Sequence, residues 1–585
     1  MDGGRYPVKR VLGEEVEVHV DVFADGHDAV SCELLFKYEK ETQWHKLPMD
    51  FRYNDHWVAS FRVDKLGRYQ YTVRAWTDPF LTWKRDLKKR QDAGQDLTVD
   101  LQIGSQLLGS EIPDFEAAMA TELPAPEDTR TKEAEKVFEV VVEPVRARFS
   151  SWYELFPRSF GGLRGVIDVL PYVEKLGFNV LYLPPIHPIG ATARKGKNNA
   201  VSAKPGDVGS PWAIGSKEGG HKAINPELGT LQDFKLLVDA AAEKNIAIAL
   251  DIAFQCSPDH PYVKSHPEWF RWRPDGTVQY AENPPKKYQD IYPFEFETEA
   301  WKSLWEELES VFEHWIAQGV TIFRVDNPHT KPFEFWEWCI AQIKKKHPEV
   351  IFLAEAFTRP RIMHKLAKLG FSQSYTYFTW RNHKQELTEY FTELASSESR
   401  EYFRPNCWPN TPDILHETLQ QGGRAAFIVR AVLASMAAAN YGIYGPAYEL
   451  QEHAPREPGS EEYLNSEKYE AKKWNLERAD SLAPLIQRLN AIRNENPALQ
   501  ADWSLKFHPV DNGQLIAFSK KEKDNEILTV VNLDVHNPQI GWIDFGPAVV
   551  EDLLSGGRYE WTAPRNYIEL SPHKLPAHVF RVARP

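Results

Sequence analysis

Near its start the chain alternates apolar and polar residues with period two: Val16, Val18, Val20 and Val22 against Glu17, His19 and Asp21. Such alternation marks a half-buried strand. Similar segments recur around residues 32–38, 57–63 and 69–76, so residues 14–105 read as β structure. Strands at this spacing, with polar turns, predict an immunoglobulin-like β-sandwich over residues 1–105. Residues 106–148 turn polar, with Pro113, Pro124, Pro126 and a charged run over 127–133, and read as a linker with an abbreviated helical insert.

From Phe149 the period changes to strand and helix in alternation. Short apolar, β-branched runs at 152–156, 180–183, 246–254, 320–325 and 351–354 read as buried parallel strands. Segments 374–378, 402–408 and 441–444 complete eight candidates. Helix-period segments at 170–176, 231–243, 301–316, 333–343 and 425–439 fall in most of the intervals. The expected architecture is α/β: a (β/α)8 TIM barrel over residues 149–500. Two Gly-, Pro-, Asn- and Lys-rich connections, 191–224 and 257–300, are too long for plain loops and read as insertions on the face where barrel sites form. After residue 501 short strands return, predicting a second β-sandwich over 501–585.

Composition narrows the class. A chain of 585 residues exceeds one core. Lys plus Arg number 69 against 83 Asp plus Glu, a net charge of −14, which argues against nucleic acid or an anionic membrane as partner. Aromatics at 12% are plentiful enough to stack on sugar faces or to fill cores. The first residues lack the basic-then-apolar pattern of a signal peptide, and no apolar run reaches membrane-spanning length. Four scattered cysteines form no CxxC pair, which leaves no disulfide framework or zinc site to expect. A soluble cytoplasmic protein without a metal or other cofactor is the expectation.

Candidate chemistry lies at the strand ends. The runs ending at Asp326 and Glu355 each close an apolar strand with one acid, and Asp413 follows the seventh candidate. A bland alternative makes these acids helix caps or salt-bridge partners. Three carboxylates converging on one pocket meet the requirement of retaining glycosyl transfer: a nucleophile, an acid that turns base, and a grip on sugar hydroxyls. Arg324, two residues before Asp326, shares its face of the strand and would keep it ionised.

Phe323-Arg324-Val325-Asp326, Ala354-Glu355, Ala249-Leu250-Asp251 and Asp413 resemble the four signature regions of the α-amylase family of glycoside hydrolases and transglycosylases. The run from Asn225 to Asp233-Phe234 is similar to that family's second-helix entry, and the resemblance covers roughly residues 149–585. Departures are informative. After Asp251 the chain reads Ile252-Ala253-Phe254-Gln255-Cys256, without the Asn that serves many amylases as a calcium ligand, and Pro412 replaces the His beside the strand-seven acid. These substitutions resemble the α-1,4-glucan:maltose-1-phosphate maltosyltransferase subgroup, as do the runs 195–199, 206–215 and 282–290. That resemblance implies a donor, maltose 1-phosphate; an acceptor, an α-1,4-glucan such as glycogen; phosphate as product; and a homodimer. It implies donor-phosphate contacts from Ser210, Asn283, Lys286, Tyr288 and Asn327, and sugar contacts from Gln255, Lys197, Asn198, Asp290, Lys468 and Tyr469. Taken by themselves, Asn283–Tyr288 read equally as a solvated turn, and Lys468 as a surface lysine. A dianion beside Asp326 also calls for cationic and neutral donors with no spare acid, a need Lys286 and its neighbours would meet. Competing expectations are a hydrolase or a sucrose/trehalose-type isomerase on the same barrel, and a carbohydrate-binding protein without catalysis.

Overall fold

The computed structural model describes residues 1–122, 132–133, 136–284 and 286–584. The chain divides into two compact units, Met1–Glu143 and Pro144–Pro585.

In the first unit, Glu15–Asp21, His56–Arg62 and Asp50–Tyr53 form one antiparallel sheet. A second sheet runs in the order Val8–Val11, Phe138–Glu143, Gly67–Thr77, Val30–Tyr38 and His45–Pro48. Val16, Val18, Leu34, Phe61, Val73 and Val140 fill the space between them, so the period-two valines face inward. Two expectations need correction. Residues 79–108 are not β structure: Pro79–Asp92 and Thr98–Leu108 are helices, followed by Phe115–Ala120. Asp78 caps the first helix by accepting the Leu81 N–H at 2.8 Å, with Pro79 next in line, and Phe80, Trp83 and Leu87 recur at helical spacing on its buried face. The 106–148 segment is also more than a linker, because Phe138–Glu143 returns to the second sheet and pairs in parallel with Val8–Val11. Most of the charged run at 127–133, with Pro124 and Pro126, lies outside the described residues.

In the second unit eight parallel strands close a barrel: β1 (Ser150–Glu154), β2 (Val180–Leu183), β3 (Ala247–Ile252), β4 (Ile322–Val325), β5 (Ile351–Ala354), β6 (Gln373–Tyr375), β7 (Pro405–Cys407) and β8 (Asn440–Tyr444). Each is followed by a helix: α1 (Leu163–Lys175), α2 (Leu231–Glu243), α3 (Trp301–Ile316), α4 (Phe333–Lys346), α5 (Pro360–Leu369), α6 (Lys384–Ser396), α7 (Gly423–Ala437) and α8 (Ala483–Glu495). The two anticipated insertions are present after β2 and β3. A third, residues 445–482 between β8 and α8, was not anticipated, although Gly445-Pro446 and Pro458-Gly459 mark turns within it.

The C-terminal strands form a six-stranded sheet and a two-stranded ribbon around Leu528, Val530, Ile543, Val550, Ile568 and Leu570. Buried Lys520 ties this sandwich to the barrel, 3.0 Å from Asp502, whose carboxylate also accepts the Ala439 N–H beside β8.

Register places the site. β4 and β5 pair Val325 with Ala354, and the ladder continues one step beyond: Asp326 N–H donates to Ile252 O at 2.9 Å and Glu355 N–H to Val325 O at 3.0 Å. Two acids on adjacent parallel strands therefore leave the sheet side by side.

Candidate active site

One guanidinium organises the strand ends. Arg324 Nη1 lies 2.9 Å from Asp251 Oδ2 and 2.8 Å from Asp326 Oδ1, and Nη2 lies 3.0 Å from Glu355 Oε1. All four groups are buried. Arg324 also sits 5.7 Å from the centroids of the Tyr182 and Tyr375 rings, which wall it inside the barrel. Asp251 takes two further donors, Tyr182 Oη and, at 3.2 Å, Trp212 Nε1.

Asp326 and Glu355 are driven apart electrostatically. Burial raises Asp326, but Arg324 and then Lys331 outweigh it and hold this carboxyl below the usual range. Burial also raises Glu355; there Arg324 opposes, yet the charges of Asp326 and Asp413 add to the rise, which reaches about 8. Two neighbouring carboxyls biased to opposite protonation states are what acid–base chemistry at a single bond requires. Glu154, at the end of β1, is buried with neither oxygen hydrogen-bonded among the described residues, and burial pushes its carboxyl well above the usual carboxylate range.

Asn327 follows Asp326 in a left-handed conformation (φ 43°, ψ 53°), which Asn tolerates better than most residues. The turn aims its N–H at Glu355 Oε2 (3.1 Å) and its Nδ2 at Asp326 Oδ2 (3.3 Å). Asp413 follows β7 on a tight turn and is paired with Lys468 Nζ. Burial lowers Lys468, but Asp413 overrides it and raises the ammonium, whose nitrogen lies 5.2 Å from the Trp212 ring centroid and 5.9 Å from that of Tyr469. Lys468 is thus no surface lysine. Asp290 is buried and raised by desolvation, with the ammonium groups of Lys195 and Lys468 opposing.

The remaining expected residues are spread around this centre. Gln255 Nε2 donates to Trp212 O at 3.3 Å, and the Ser210 hydroxyl accepts the Trp212 N–H at 3.4 Å. Asn198 exchanges two hydrogen bonds with Asn465, at 3.0 and 2.7 Å, bringing the first and third insertions together. Lys197 is exposed and pairs with Glu470 at 3.1 Å, not with any of the strand-end acids. Tyr288 stands exposed on the hairpin that pairs Ala281–Asn283 with Lys286–Tyr288. The side chains of Asn283 and Lys286 lie outside the described residues.

Tyr182, Trp212, Tyr375 and Lys331 were not singled out in the sequence. Trp212 falls within a quoted run, and Tyr182 and Tyr375 within strand segments, but nothing local marks them or Lys331 as parts of a site.

Among the described residues, His221, Cys256 and His260 bring three possible ligand atoms within 4.8 Å of one another. Their hydrogen bonds leave no ring nitrogen to spare. His260 Nδ1 accepts the Tyr262 N–H (3.0 Å), which puts the ring proton on Nε2, facing His221 Nδ1 (3.1 Å), and His221 Nε2 then donates to Ala253 O (3.0 Å). Burial pushes His221 down to about 4 and His260 to about 2, consistent with neutral rings. A cation would have to break this chain.

The closed parallel barrel with acids clustered at its strand ends is shared with the α-amylases, as the comparisons show. Residues 129–404 match the α-amylase catalytic-domain model. An α-amylase structure from Lactobacillus plantarum superposes with TM-score 0.59 at 21% identity, covering 75% of this chain and all of that one. A Geobacillus thermoleovorans α-amylase, complexed with acarbose, gives 0.59 at 14%, over 75% and 99%. Residues 1–151 match the model for α-1,4-glucan:maltose-1-phosphate maltosyltransferase, domain N/S, and 507–582 the matching C-terminal domain model. Proteins named α-1,4-glucan:maltose-1-phosphate maltosyltransferase from Chlorobaculum tepidum and Methylacidiphilum infernorum are 50% and 47% identical, over all of this chain and 95% and 94% of their own. The chain belongs to the α-1,4-glucan:maltose-1-phosphate maltosyltransferase family.

Proposed function

We propose that this protein transfers the maltosyl unit of α-maltose 1-phosphate to the non-reducing 4-hydroxyl of an α-1,4-glucan, releasing phosphate, in glucan biosynthesis. The observation that carries the reading is the pair Asp326 and Glu355, adjacent on one register step, bound to one guanidinium and biased to opposite protonation states. Donor and acceptor follow from the full-length relatives.

Asp326, ionised under Arg324, attacks the anomeric carbon as phosphate departs. Phosphate is already a good leaving group, so Glu355 need donate its proton only weakly to the departing phosphate oxygen, and that transfer leaves it ionised. Loss of the Asp326 charge in the glycosyl ester removes a repulsion from Glu355 and lowers its proton affinity, so that it stands ionised and free to take the proton of the acceptor hydroxyl. Two inversions give net retention. Asp413, oriented by Lys468, grips the sugar hydroxyls, with Asp290, Gln255, Tyr469 and Asn198 around it. Ser210, Asn327 and the hairpin bearing Asn283, Lys286 and Tyr288 serve the phosphate. The three insertions shield the intermediate from water.

Incubation with glycogen and inorganic phosphate is expected to yield α-maltose 1-phosphate by reversal. Free maltose formed without dependence on phosphate would instead establish a hydrolase.

The protein is further proposed to act as a homodimer in the cytoplasm. Its four cysteines are free and buried, which fits a reducing compartment. On helix Thr98–Leu108, Val99, Ile103 and Leu107 form a stripe at i, i+4 and i+8, exposed by 63%, 45% and 44%. The adjoining face packs Gly104 against Trp83, leaving the stripe for a partner. Ile103→Lys is expected to convert dimer to monomer in sedimentation velocity with its circular dichroism unchanged; a monomeric wild type refutes the dimer.

A further inference from the structure

Among the described residues, Lys331 is the one cation close to the strand-end acids without a task in the proposed transfer. It is buried, five residues after Asp326, at the end of the short turn Pro328–Thr330. Its ammonium donates to Asp326 O at 3.3 Å and to Asn327 O at 3.2 Å. Thr330 adds its N–H (3.1 Å) and its hydroxyl (2.8 Å) to the same Asn327 carbonyl, and Trp336 of α4 braces the turn through Pro328 O at 2.9 Å.

One peptide unit links this ammonium to the acid–base residue. The carbonyl of the Asp326–Asn327 peptide faces Lys331, and the N–H of the same peptide, pointing the opposite way across a trans bond, faces Glu355 Oε2 at 3.1 Å. A cation at the oxygen end polarises the unit and makes its N–H a stronger donor. The same anchoring holds Asn327 in its left-handed conformation, from which Nδ2 reaches Asp326.

We propose that Lys331 is a positioning residue for both catalytic carboxyls, acting through this single peptide and through its charge. The proposal rests on the transfer reading and deepens it. The groups facing the ammonium are Asp326, Glu355 and Asp251, which attract it, and Arg324, which repels it, with the half-buried His329 ring on the same turn. With Glu355 protonated and burial raising Asp251 to about 7, Arg324 and Lys331 offset the charge left on Asp326 and Asp251 and leave the centre able to admit a phosphate dianion.

The test is the pH dependence of phosphate release from α-maltose 1-phosphate by the full-length protein. Lys331→Gln keeps an N–H donor for the two carbonyls and removes the charge; Lys331→Arg keeps the charge. Without a nearby cation both carboxyls bind protons more tightly, so the acid and alkaline limbs of kcat/KM should each move up by about one pH unit. The Gln variant should also lose about 10- to 100-fold in kcat at the wild-type optimum. Lys331→Arg should keep the wild-type limbs at reduced rate. Loss of thermal stability with unmoved limbs in Lys331→Gln would make the lysine merely structural and overturn the proposal. A wild type that releases no phosphate from this donor overturns the transfer reading itself, a separate result.

Discussion

Asp326→Asn should abolish maltosyl transfer, lowering kcat on the order of 10⁴- to 10⁶-fold, while the variant folds as the wild type does. The size follows from the role: without a carboxylate there is no atom to receive the anomeric carbon, and the rest of the site can only bind. Folding survives because Arg324 keeps two of its three carboxylate partners, Asp251 and Glu355, and an amide fills the same space. Stopped assays with α-maltose 1-phosphate and a maltooligosaccharide measure the loss, and a thermal melt measures the fold. Activity within tenfold of wild type would require another nucleophile. The substitution carries a second signature. Asp326 is among the charges that raise Glu355, so deleting it should bring Glu355 down toward the ordinary carboxylate range. Titration by difference infrared spectroscopy reads that shift directly, whether or not turnover remains.

How much of this was legible beforehand divides along a physical line. Barrel strands such as Val180–Leu183 and Ile351–Ala354 are short apolar runs whose burial is written into their composition, and their terminal acids stand out because ionised groups are rare at such positions. Pairing of Asp326 with Glu355 needs only consecutive parallel strands in register. What stayed hidden depends on contacts made far along the chain. Trp212 is bonded to an acid on β3 and lies close to a lysine 256 positions further on, and neither neighbour can be inferred from its surroundings in the sequence. Lys331 reads as an ordinary loop lysine until the fold brings its ammonium to two backbone carbonyls. The helix Pro79–Asp92 was missed for the opposite reason: its Asp78-Pro79 start is a local signal, but it sits among strands and was overridden by its context.

Glu355→Gln should separate the two halves of the reaction. Because phosphate needs little help to leave, this variant should still form the maltosyl ester on Asp326 and release close to one equivalent of phosphate in a burst. The second half is different. An acceptor hydroxyl must lose a proton to attack, and an amide cannot take it, so steady-state transfer should fall by about 10³-fold. The variant should accumulate carrying one maltosyl unit, visible in the intact mass and lost when Asp326 is also replaced. Its profile against pH should change in kind. In the wild type, Glu355 rests near 8 in the free enzyme, so it is protonated through most of the working range and gives up its proton more readily once the Asp326 charge is masked. A bound maltosyl group thus prepares its own base, and the Gln variant, with nothing to titrate, should show residual transfer without that dependence. If Glu355→Gln released phosphate no faster than it transferred maltosyl units, and no adduct appeared, the two halves would not share Asp326 as their common intermediate, and the retaining scheme would fail.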